Sequence, residues 1–238
     1  MIVKYEAPLA AAYVRGTAHM SGKPTLSSEL AQTPLEALTD SELTQIINAG
    51  LQAGMNMYHF KKKDDLPRVS AVIGFLRGVQ PQSLLDVGSG RGAFLFPFLR
   101  EFPDVPVTSV DLLPRRAEML RTVSAGGIDH LTALQHDICA WNAPDGAFDV
   151  VTLLEVLEHI PNVERAVANA VRLARRYVVV TVPSKPDNNP EHIHLLTKEK
   201  LTGLFTAAGC EKLKFGGVNG HLLAITSVNQ PKERDRDV

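Results

Sequence analysis

The sequence has only two cysteines, no long apolar run and no excess of charge of one sign. Cys139 and Cys210 lie far apart along 238 residues, at a spacing that indicates neither a metal site nor a disulfide. No apolar run approaches the roughly 20 residues of a membrane-spanning helix, and the first residues lack the charged and apolar regions of a secretory signal peptide. We therefore expect a cytoplasmic protein with no membrane partner.

The charge balance argues against a general role in nucleic-acid binding. A net charge of −1 and a pI near 6.7 provide no overall electrostatic attraction to a phosphate backbone, so that only a local contact, for example with an RNA end, stays open. The sequence has no internal repeat and no low-complexity segment. Its 45% of hydrophobic residues suffices for a core, and its length fits one large domain or one domain with an extension.

Strand and helix signals alternate from residue 83 onwards. Apolar and β-branched runs predict strands at 83–87, 107–110, 131–135, 148–154 and 177–182, with helices over 93–102, 115–123, 163–173 and 198–208. Two further strands near 212–215 and 221–227, with glycines between them, predict a terminal antiparallel hairpin. This alternation indicates an α/β fold with a doubly wound, mostly parallel sheet.

Residues 1–80 are predicted to form an N-terminal helical extension. Residues 1–33 carry little pattern and predict an extended or mobile arm with one or two helical turns near 9–13. A helix is expected from Thr33, with Asp40 or Ser41 capping its second part, and another begins at Pro67. The side chains predicted to face inward are Leu43, Ile46, Ile47 and Leu51 in the first helix and Val69, Val72, Ile73 and Leu76 in the second. Residues 61–65 predict a solvated charged loop, and residues 230–238 predict a disordered tail.

The stretch 84–94, Leu-Leu-Asp-Val-Gly-Ser-Gly-Arg-Gly-Ala-Phe, is the most informative motif. A short apolar run ends around Asp86, and Gly88, Gly90 and Gly92 follow at alternate positions. This order predicts a strand, a tight turn and a helix start, in which glycine permits positive φ and a close approach of the backbone to a ligand. The pyrophosphate-binding pattern G-x-G-x-x-G is absent. Because the carboxylate of Asp86 would repel a pyrophosphate, the turn favours a cationic ligand.

This stretch resembles the first motif of the class I S-adenosylmethionine-dependent methyltransferases, an acidic residue followed by G-x-G-x-G. The resemblance extends over about residues 80–228 and is strongest for the small, seven-stranded, type 11-like members. It implies a Rossmann-like sheet in the order 3-2-1-4-5-7-6, a methyltransferase domain at 81–229, and an extension at 1–80 that acts as a lid. It also implies S-adenosylmethionine as the cofactor and S-adenosylhomocysteine as the product, with no metal expected.

The family's cofactor contacts can be carried over onto matching positions. A carboxylate at the end of the second strand can accept both ribose hydroxyls of a nucleoside, in this cofactor or in NAD, and the resemblance makes Asp111 that ribose anchor with Leu112 packing on the adenine. It also implies that Asp137 accepts the adenine amino group, that the backbone N–H of Ile138 contacts the ring, and that Glu155 lies near the sulfonium or ammonium end. The predicted cofactor-binding residues are Asp86, Gly88, Ser89, Gly90, Gly92, Asp111, Leu112, Asp137, Ile138 and Glu155.

Two segments carry the candidate catalytic residues. The run 155–159, Glu-Val-Leu-Glu-His, resembles a segment that borders the methionine moiety and the acceptor in small-molecule methyltransferases, and the pattern H-x-x-T-x-E-x-L from His194 resembles a segment of the same group. His159 is a candidate base because its unperturbed pKa is near neutrality. His159 also fits a capping role and His194 a loop role, so both interpretations stay open. The candidate catalytic residues are Glu158, His159, His194 and Tyr58.

Two alternatives to a metal-free small-molecule methyltransferase stay open. Glu155, Glu158 and His159 would share one face of a helix, and with His194 they would offer a divalent-metal set that resembles the metal-dependent methyltransferases of RNA 3′-terminal ribose 2′-hydroxyls. The domain could also bind S-adenosylmethionine as a non-catalytic regulatory protein. A small molecule is the favoured acceptor. The acceptor atom and the oligomeric state are not indicated by the sequence.

Overall fold

A seven-stranded sheet carries the fold in this computed structural model, which describes residues 5–62 and 66–228. The strands are β1 (Leu84–Val87), β2 (Val107–Asp111), β3 (Leu131–Gln135), β4 (Phe148–Leu154), β5 (Ala174–Pro183), β6 (Leu213–Val218) and β7 (His221–Ser227). Their order is β3-β2-β1-β4-β5-β7-β6. β4 is parallel to β1 and β5, and β2 is parallel to β3, whereas β7 is antiparallel to β5 and β6. The predicted fold class and strand order are confirmed.

Eight α-helices accompany the strands in the described part of the chain. They are α1 (Ala7–Ser21), α2 (Ser28–Gln32), α3 (Asp40–Gln52), α4 (Pro67–Val79), α5 (Leu95–Glu101), α6 (Pro114–Ala125), α7 (Val163–Leu173) and α8 (Lys198–Ala207). None of them is both long and apolar enough to cross a membrane. No helix lies in the link between β3 and β4.

The chain divides into two compact units. The first contains Met1–Leu66 and Ser89–Gln135, and the second contains Pro67–Gly88 and His136–Val238. The first unit therefore holds β2, β3, α1 to α3, α5 and α6. The second unit holds the other strands with α4, α7 and α8. The predicted boundary near residue 80 and the lid role of residues 1–80 stay predictions.

In the first unit, α1 packs against α6 at very short range. A Cβ atom added to Gly16 would lie 1.9 Å from the carbonyl oxygen of Thr122, and one added to Gly126 would lie 1.7 Å from that of Ala12. The prediction of an extended or mobile arm over residues 1–33 is wrong for this segment. Its helix buries mainly small residues, which give little periodic contrast in hydrophobicity but allow two helices to approach closely.

The start of α3 also differs from the prediction. Thr39 is the N-cap, because its Oγ1 accepts the N–H of Glu42 at 3.3 Å while Glu42 Oε2 accepts the N–H of Thr39 at 2.7 Å. This reciprocal capping box replaces the predicted caps Asp40 and Ser41. Residues 33–39 do not continue a helix, because α2 ends at Gln32 and only a short 3-10 turn, Leu35–Ala37, follows.

Most predicted inward-facing side chains are buried, namely Leu43, Ile46, Ile47, Val69, Val72, Ile73 and Leu76. Leu51 is the exception: it is 40% exposed, whereas the neighbouring Gly50 is buried. The part of the charged run at 63–65 and the tail at 230–238 lie outside the described residues.

In the second unit, buried valines form the inner part of β5. Val178, Val179 and Val180 are fully buried, as expected for a strand covered on both faces. α7 has the predicted bounds, and α8 begins at its predicted first residue, preceded by the N-cap Thr197, whose side chain accepts the N–H of Lys200. β4 lies between β1 and β5, which are both parallel to it. The residues of the candidate site follow directly after its carboxyl end.

Candidate active site

The glycine turn after β1 has the left-handed backbone that its sequence requires. Gly88, Gly90 and Gly92 have φ angles of 68°, 59° and 77°, a region that side chains other than glycine rarely adopt. A Cβ atom at Gly88 would also lie 2.7 Å from Cγ2 of Val156, and one at Gly92 would lie 2.6 Å from the ring of Phe96. The turn is therefore fixed by conformation and by packing. α5 begins two residues later than predicted, at Leu95.

Asp111 is held at the carboxyl end of β2 by backbone donors. Its Oδ2 accepts the N–H of Gly90 at 3.2 Å, and its Oδ1 accepts the N–H of Leu113 at 2.9 Å. Nη1 of Arg116 lies 3.5 Å from Oδ2, and the Asp111 side chain is only 4% exposed. Leu112 beside it is 64% exposed. The first unit thus presents an oriented carboxylate next to an open apolar side chain.

A pair of hydroxyls connects the glycine turn to β2. Oγ of Ser89 and Oγ of Ser109 are 2.6 Å apart, and Ser109 is buried. Because both groups belong to the first unit, this contact fixes the turn relative to the strand that carries Asp111. The sequence analysis missed Ser109, whose only signal was a polar residue within an apolar strand.

Asp86 is a buried side chain of the sheet. It is 2% exposed, and the hydroxyl of Thr152 on the neighbouring strand β4 donates to its Oδ1 at 2.7 Å. This predicted cofactor-binding residue therefore lies within the sheet of the second unit. Its carboxylate places a negative charge at the end of β1.

Helix α7 holds the loop that follows β3. Nδ2 of Asn169 donates to the carbonyl oxygens of Ile138 at 2.6 Å and Trp141 at 2.9 Å, and Nη2 of Arg172 donates to the same Trp141 oxygen. Asp137 is exposed, and its Oδ1 accepts the N–H of Cys139. The sequence analysis missed Asn169, a polar residue among the apolar residues of the inner face of α7.

Glu155 adopts a strained backbone at the end of β4. Its φ of 59° is left-handed although it is not a glycine, and such outliers are concentrated at functional sites. Its Oε2 lies 2.8 Å from Nδ1 of His221, and its Oε1 lies 3.9 Å from Nε of Arg68. Glu155 therefore directs its carboxylate toward two basic side chains that the sequence analysis did not select.

Glu158 lies in the short 3-10 turn Leu157–His159 and is almost completely buried. It is 1% exposed, and neither carboxylate oxygen has a hydrogen-bond partner within residues 5–62 and 66–228. Burial raises the pKa of the Glu158 carboxyl to about 8, and the charges of Glu155 and Asp187 act in the same direction. A buried acid of this kind is typical of functional sites.

Two histidines face each other beside Glu158. The rings of His159 and His192 are in an edge contact with centroids 4.8 Å apart. Nδ1 of His159 is 2.9 Å from the carbonyl oxygen of Glu191, and Nδ1 of His192 is 2.8 Å from Oδ2 of Asp187. One oxygen of Glu158 and one ring nitrogen of each histidine lie within 4.8 Å of one another.

The four residues of the predicted alternative metal set are not brought together as a group. Residues 155–159 do not form one continuous helix, so Glu155 turns toward Arg68 and His221. His194 pairs its Nε2 with the carbonyl oxygen of Ile160 at 3.0 Å. His192 takes the place beside Glu158 and His159 that the prediction gave to His194.

Tyr58 lies in the first unit, in the 3-10 turn Tyr58–Phe60. Its side chain is 51% exposed, and Nζ of Lys61 lies 5.2 Å from the centre of its ring. These contacts give Tyr58 a cationic neighbour. Its catalytic role stays a prediction.

Comparison with known proteins gives one family for most of the chain. A family model described as a methyltransferase domain matches residues 60–214. The malonyl-[acyl-carrier protein] O-methyltransferase of Geobacter sulfurreducens is 29% identical over 123 residues, which cover 51% of this chain and 45% of that protein. The ubiquinone biosynthesis O-methyltransferase of Vibrio campbellii is 29% identical over 149 residues, which cover 61% of this chain and 57% of that protein.

A solved structure shares the fold. The S-adenosylmethionine-dependent methyltransferase of Aquifex aeolicus aligns with a TM-score of 0.57 at 17% identity, covering 69% of this chain and 92% of that one. At this identity the likeness shows the fold alone. The chain spans about half the length of the two curated relatives.

Proposed function

The chain belongs to the class I S-adenosylmethionine-dependent methyltransferases, and from this premise we propose that it transfers a methyl group from S-adenosylmethionine to a small-molecule acceptor. The observation that supports the cofactor most directly is the arrangement of Asp111. Two backbone N–H groups occupy one site on each carboxylate oxygen. A carboxylate has about four acceptor sites, so two are free of hydrogen bonds, although Nη1 of Arg116 lies 3.5 Å from Oδ2. We propose that the two ribose hydroxyls take these two sites.

Residues of each unit support the same ligand. The exposed side chain of Leu112 offers an apolar surface for the adenine ring, and the buried Ile138 has its backbone held by α7. Asp137 uses one oxygen for the N–H of Cys139, and we propose that its other oxygen accepts the adenine amino group. The left-handed glycines and Ser89 would accommodate the methionine moiety, because a turn without Cβ atoms allows close approach.

The carboxylates of the second unit support a cationic donor. Asp86 and Glu155 place negative charge at the ends of β1 and β4, and we propose that they attract the ammonium and sulfonium groups. Arg68 at 3.9 Å from Glu155 would then compete with the cofactor for the same carboxylate. The family resemblance assigns Glu155 to this role, and its strained backbone is consistent with it.

The chemistry depends chiefly on alignment. The sulfonium is already activated, so the acceptor nucleophile needs to be held in line with the methyl group, and S-adenosylhomocysteine leaves as the product. A base is needed only for an acceptor that must lose a proton. Glu158 and His159 are the candidates whose surroundings favour this role, whereas the Nε2 contact of His194 with Ile160 supports a positioning role. The absence of a metal and the cytoplasmic location stay predictions.

A small organic acceptor is favoured over an RNA end or a purely regulatory role. Two of the curated relatives are named for a malonyl group on an acyl-carrier protein and for ubiquinone biosynthesis, whereas others are named for tRNA cytidine. The chain has no overall positive charge to attract RNA. The described residues also retain the glycine turn and the three anchoring carboxylates, Asp86, Asp111 and Asp137, which a degenerate site would not need.

Calorimetric titration with S-adenosylmethionine, S-adenosylhomocysteine and NAD tests this proposal. We expect micromolar binding of both sulfur ligands, before and after chelation, and no binding of NAD. Asp111→Asn should weaken both interactions by roughly 10-fold or more, because a charged hydrogen-bond acceptor is lost. Binding of NAD alone would refute the cofactor assignment. A chain that binds the cofactor yet methylates no member of a small-molecule panel would favour the regulatory alternative.

A further inference from the structure

The buried carboxylate of Glu158 requires an explanation. Both of its oxygens are shielded from solvent and lack a partner among the described residues. A buried polar group without a partner is costly and uncommon in folded proteins, where an ion is one of the few causes that account for it. Its neighbours Glu155 and Asp187 add negative charge, which the positive charge of Arg68 opposes. The surroundings therefore favour a cation.

The two neighbouring imidazoles have the hydrogen-bond partners that metal-binding histidines have. A carbonyl oxygen only accepts, so the contact with Glu191 puts the proton of neutral His159 on Nδ1. The carboxylate of Asp187 does the same for His192. Each neutral ring is left with a lone pair on Nε2. Metal-binding histidines commonly donate their second nitrogen to a carbonyl or a carboxylate in this way.

We infer that Glu158, His159 and His192 form a binding site for one divalent transition-metal ion of the Zn²⁺ or Mn²⁺ type. Their potential ligand atoms already lie within 4.8 Å of one another. Two ligands at about 2.1 Å from one ion are at most about 4.2 Å apart, so small side-chain rotations close the site. The N–H groups of Ile193 and His194 bind the carbonyl oxygen of Glu158, which keeps the loop carrying His192 close to the turn.

The ligand set selects the kind of ion. Two imidazoles with one carboxylate suit zinc and similar first-row metals better than Ca²⁺ or Mg²⁺, which prefer all-oxygen sites. Three protein ligands leave a position open to water or another small ligand. This site revises the metal-free prediction, and it excludes Glu155 and His194, whose side chains contact other groups. It does not depend on the proposed methyl transfer.

Zinc titration of the 238-residue chain, after treatment with a chelator and dialysis, tests the site. We expect calorimetry to give one Zn²⁺ per chain. When Co²⁺ is bound in place of Zn²⁺, we expect an absorption spectrum in the visible range that indicates nitrogen ligands. Loss of a ligand's outer hydrogen-bond partner lowers metal affinity by roughly 10- to 100-fold. Glu158→Gln and His192→Gln each remove a ligand itself, so each should lower the zinc affinity by more than this. Asp187→Asn should lower it by about 10-fold.

Two matched controls distinguish this site from other histidines. His19→Gln removes an exposed histidine of the first unit, and His194→Gln removes the neighbouring loop histidine. Both should leave the zinc affinity unchanged. The inference is overturned if the unaltered chain binds no Zn²⁺, if Glu158→Gln and His192→Gln bind it normally, or if His194→Gln loses it equally. Far-ultraviolet circular dichroism confirms that each variant is folded. Cofactor titration of the same chelated sample reports on the proposed function separately.

Discussion

Single residues set the closest contacts of the first unit. Gly16 lies within α1, and nothing but a hydrogen atom fits between it and the carbonyl of Thr122. Gly74 lies within α4 and has open space where a Cβ atom would be. The sequence presents both as helix-weakening glycines, and only the packing partner distinguishes them. Their substitution by alanine should therefore have opposite effects.

Gly16→Ala should destabilise the protein and Gly74→Ala should stabilise it. The added methyl group at Gly16 forces α1 and α6 apart, at a cost of about 2–3 kcal/mol or more. At Gly74 the methyl group meets no atom, and helix propensity favours alanine by about 1 kcal/mol. The free energy of unfolding, measured by urea denaturation, checks both variants. Equal stability of the two would contradict the packing of α1 on α6.

At the scale of helices and strands, side-chain hydrogen bonds determine where a helix begins and how a loop is held. The reciprocal bonds between Thr39 and Glu42 start α3, and the side chain of Asn169 on α7 holds two carbonyl oxygens of the loop after β3. Neither set of hydrogen bonds could be predicted from periodicity. Several residues within 39–41 are acceptable caps for α3, and the carbonyl groups that Asn169 binds are more than 25 residues away along the chain.

Thr39→Ala should cost about 1 kcal/mol of stability, whereas Ser41→Ala should change it by less than about 0.5 kcal/mol. The hydrogen bonds from Thr39 lower the pKa of Glu42 below its usual 4.5. A carboxyl with a lowered folded-state pKa stabilises the protein above the unfolded pKa and loses that contribution as the pH falls through the folded value. Urea denaturation from pH 7 into the acid range should show that Thr39→Ala lacks this part of the acid sensitivity.

A larger cost for Ser41→Ala than for Thr39→Ala would assign the cap to the residue that the sequence analysis proposed. The comparison is matched, because each substitution removes one hydroxyl at the same helix end. It therefore separates the capping bond from the general effect of a more apolar surface.

Asn169→Ala should weaken cofactor binding indirectly, through the loop after β3 that Asn169 holds. The substitution leaves the carbonyl oxygens of Ile138 and Trp141 without their Asn169 donor, which loosens the segment proposed to contact adenine. We expect the dissociation constant for S-adenosylmethionine to rise by roughly 10-fold, from a loss of about 1–2 kcal/mol. Asn142→Ala, at an exposed position of the same loop, serves as the control and should bind normally. Unchanged affinity of Asn169→Ala despite lower stability would limit Asn169 to a structural role.

For the whole molecule, the sequence predicts the sheet better than the helical extension. β3, β4 and α7 have the predicted bounds. The two strands are apolar segments with polar residues on either side, and α7 is strongly amphipathic. α1 was missed because Ala10, Ala11 and Ala12 bury small side chains that give no strong periodic signal. At the site, adjacency along the chain suggested Glu158 and His159. The approach of His192 depends on the fold of a loop more than 30 residues away, which no local pattern contains.

Cofactor binding should stabilise the whole chain in proportion to ligand concentration. A ligand that binds only the folded state adds RT ln(1 + [L]/Kd), which is about 2.7 kcal/mol at 100 times Kd. For a chain of this length we expect the Tm to rise by about 5–10 °C with S-adenosylmethionine or S-adenosylhomocysteine, measured by differential scanning calorimetry.

The dependence of that shift on single residues makes the prediction specific. Asp111→Asn at the same ligand concentration should show a much smaller rise, because its Kd is larger, whereas Gly74→Ala should show the full rise from a higher starting Tm. The two substitutions separate intrinsic stability from ligand linkage, since one changes the unliganded Tm and the other changes the response to the ligand. An equal rise in Asp111→Asn and the unaltered chain would show that Asp111 does not contribute to cofactor binding, even if the cofactor itself binds.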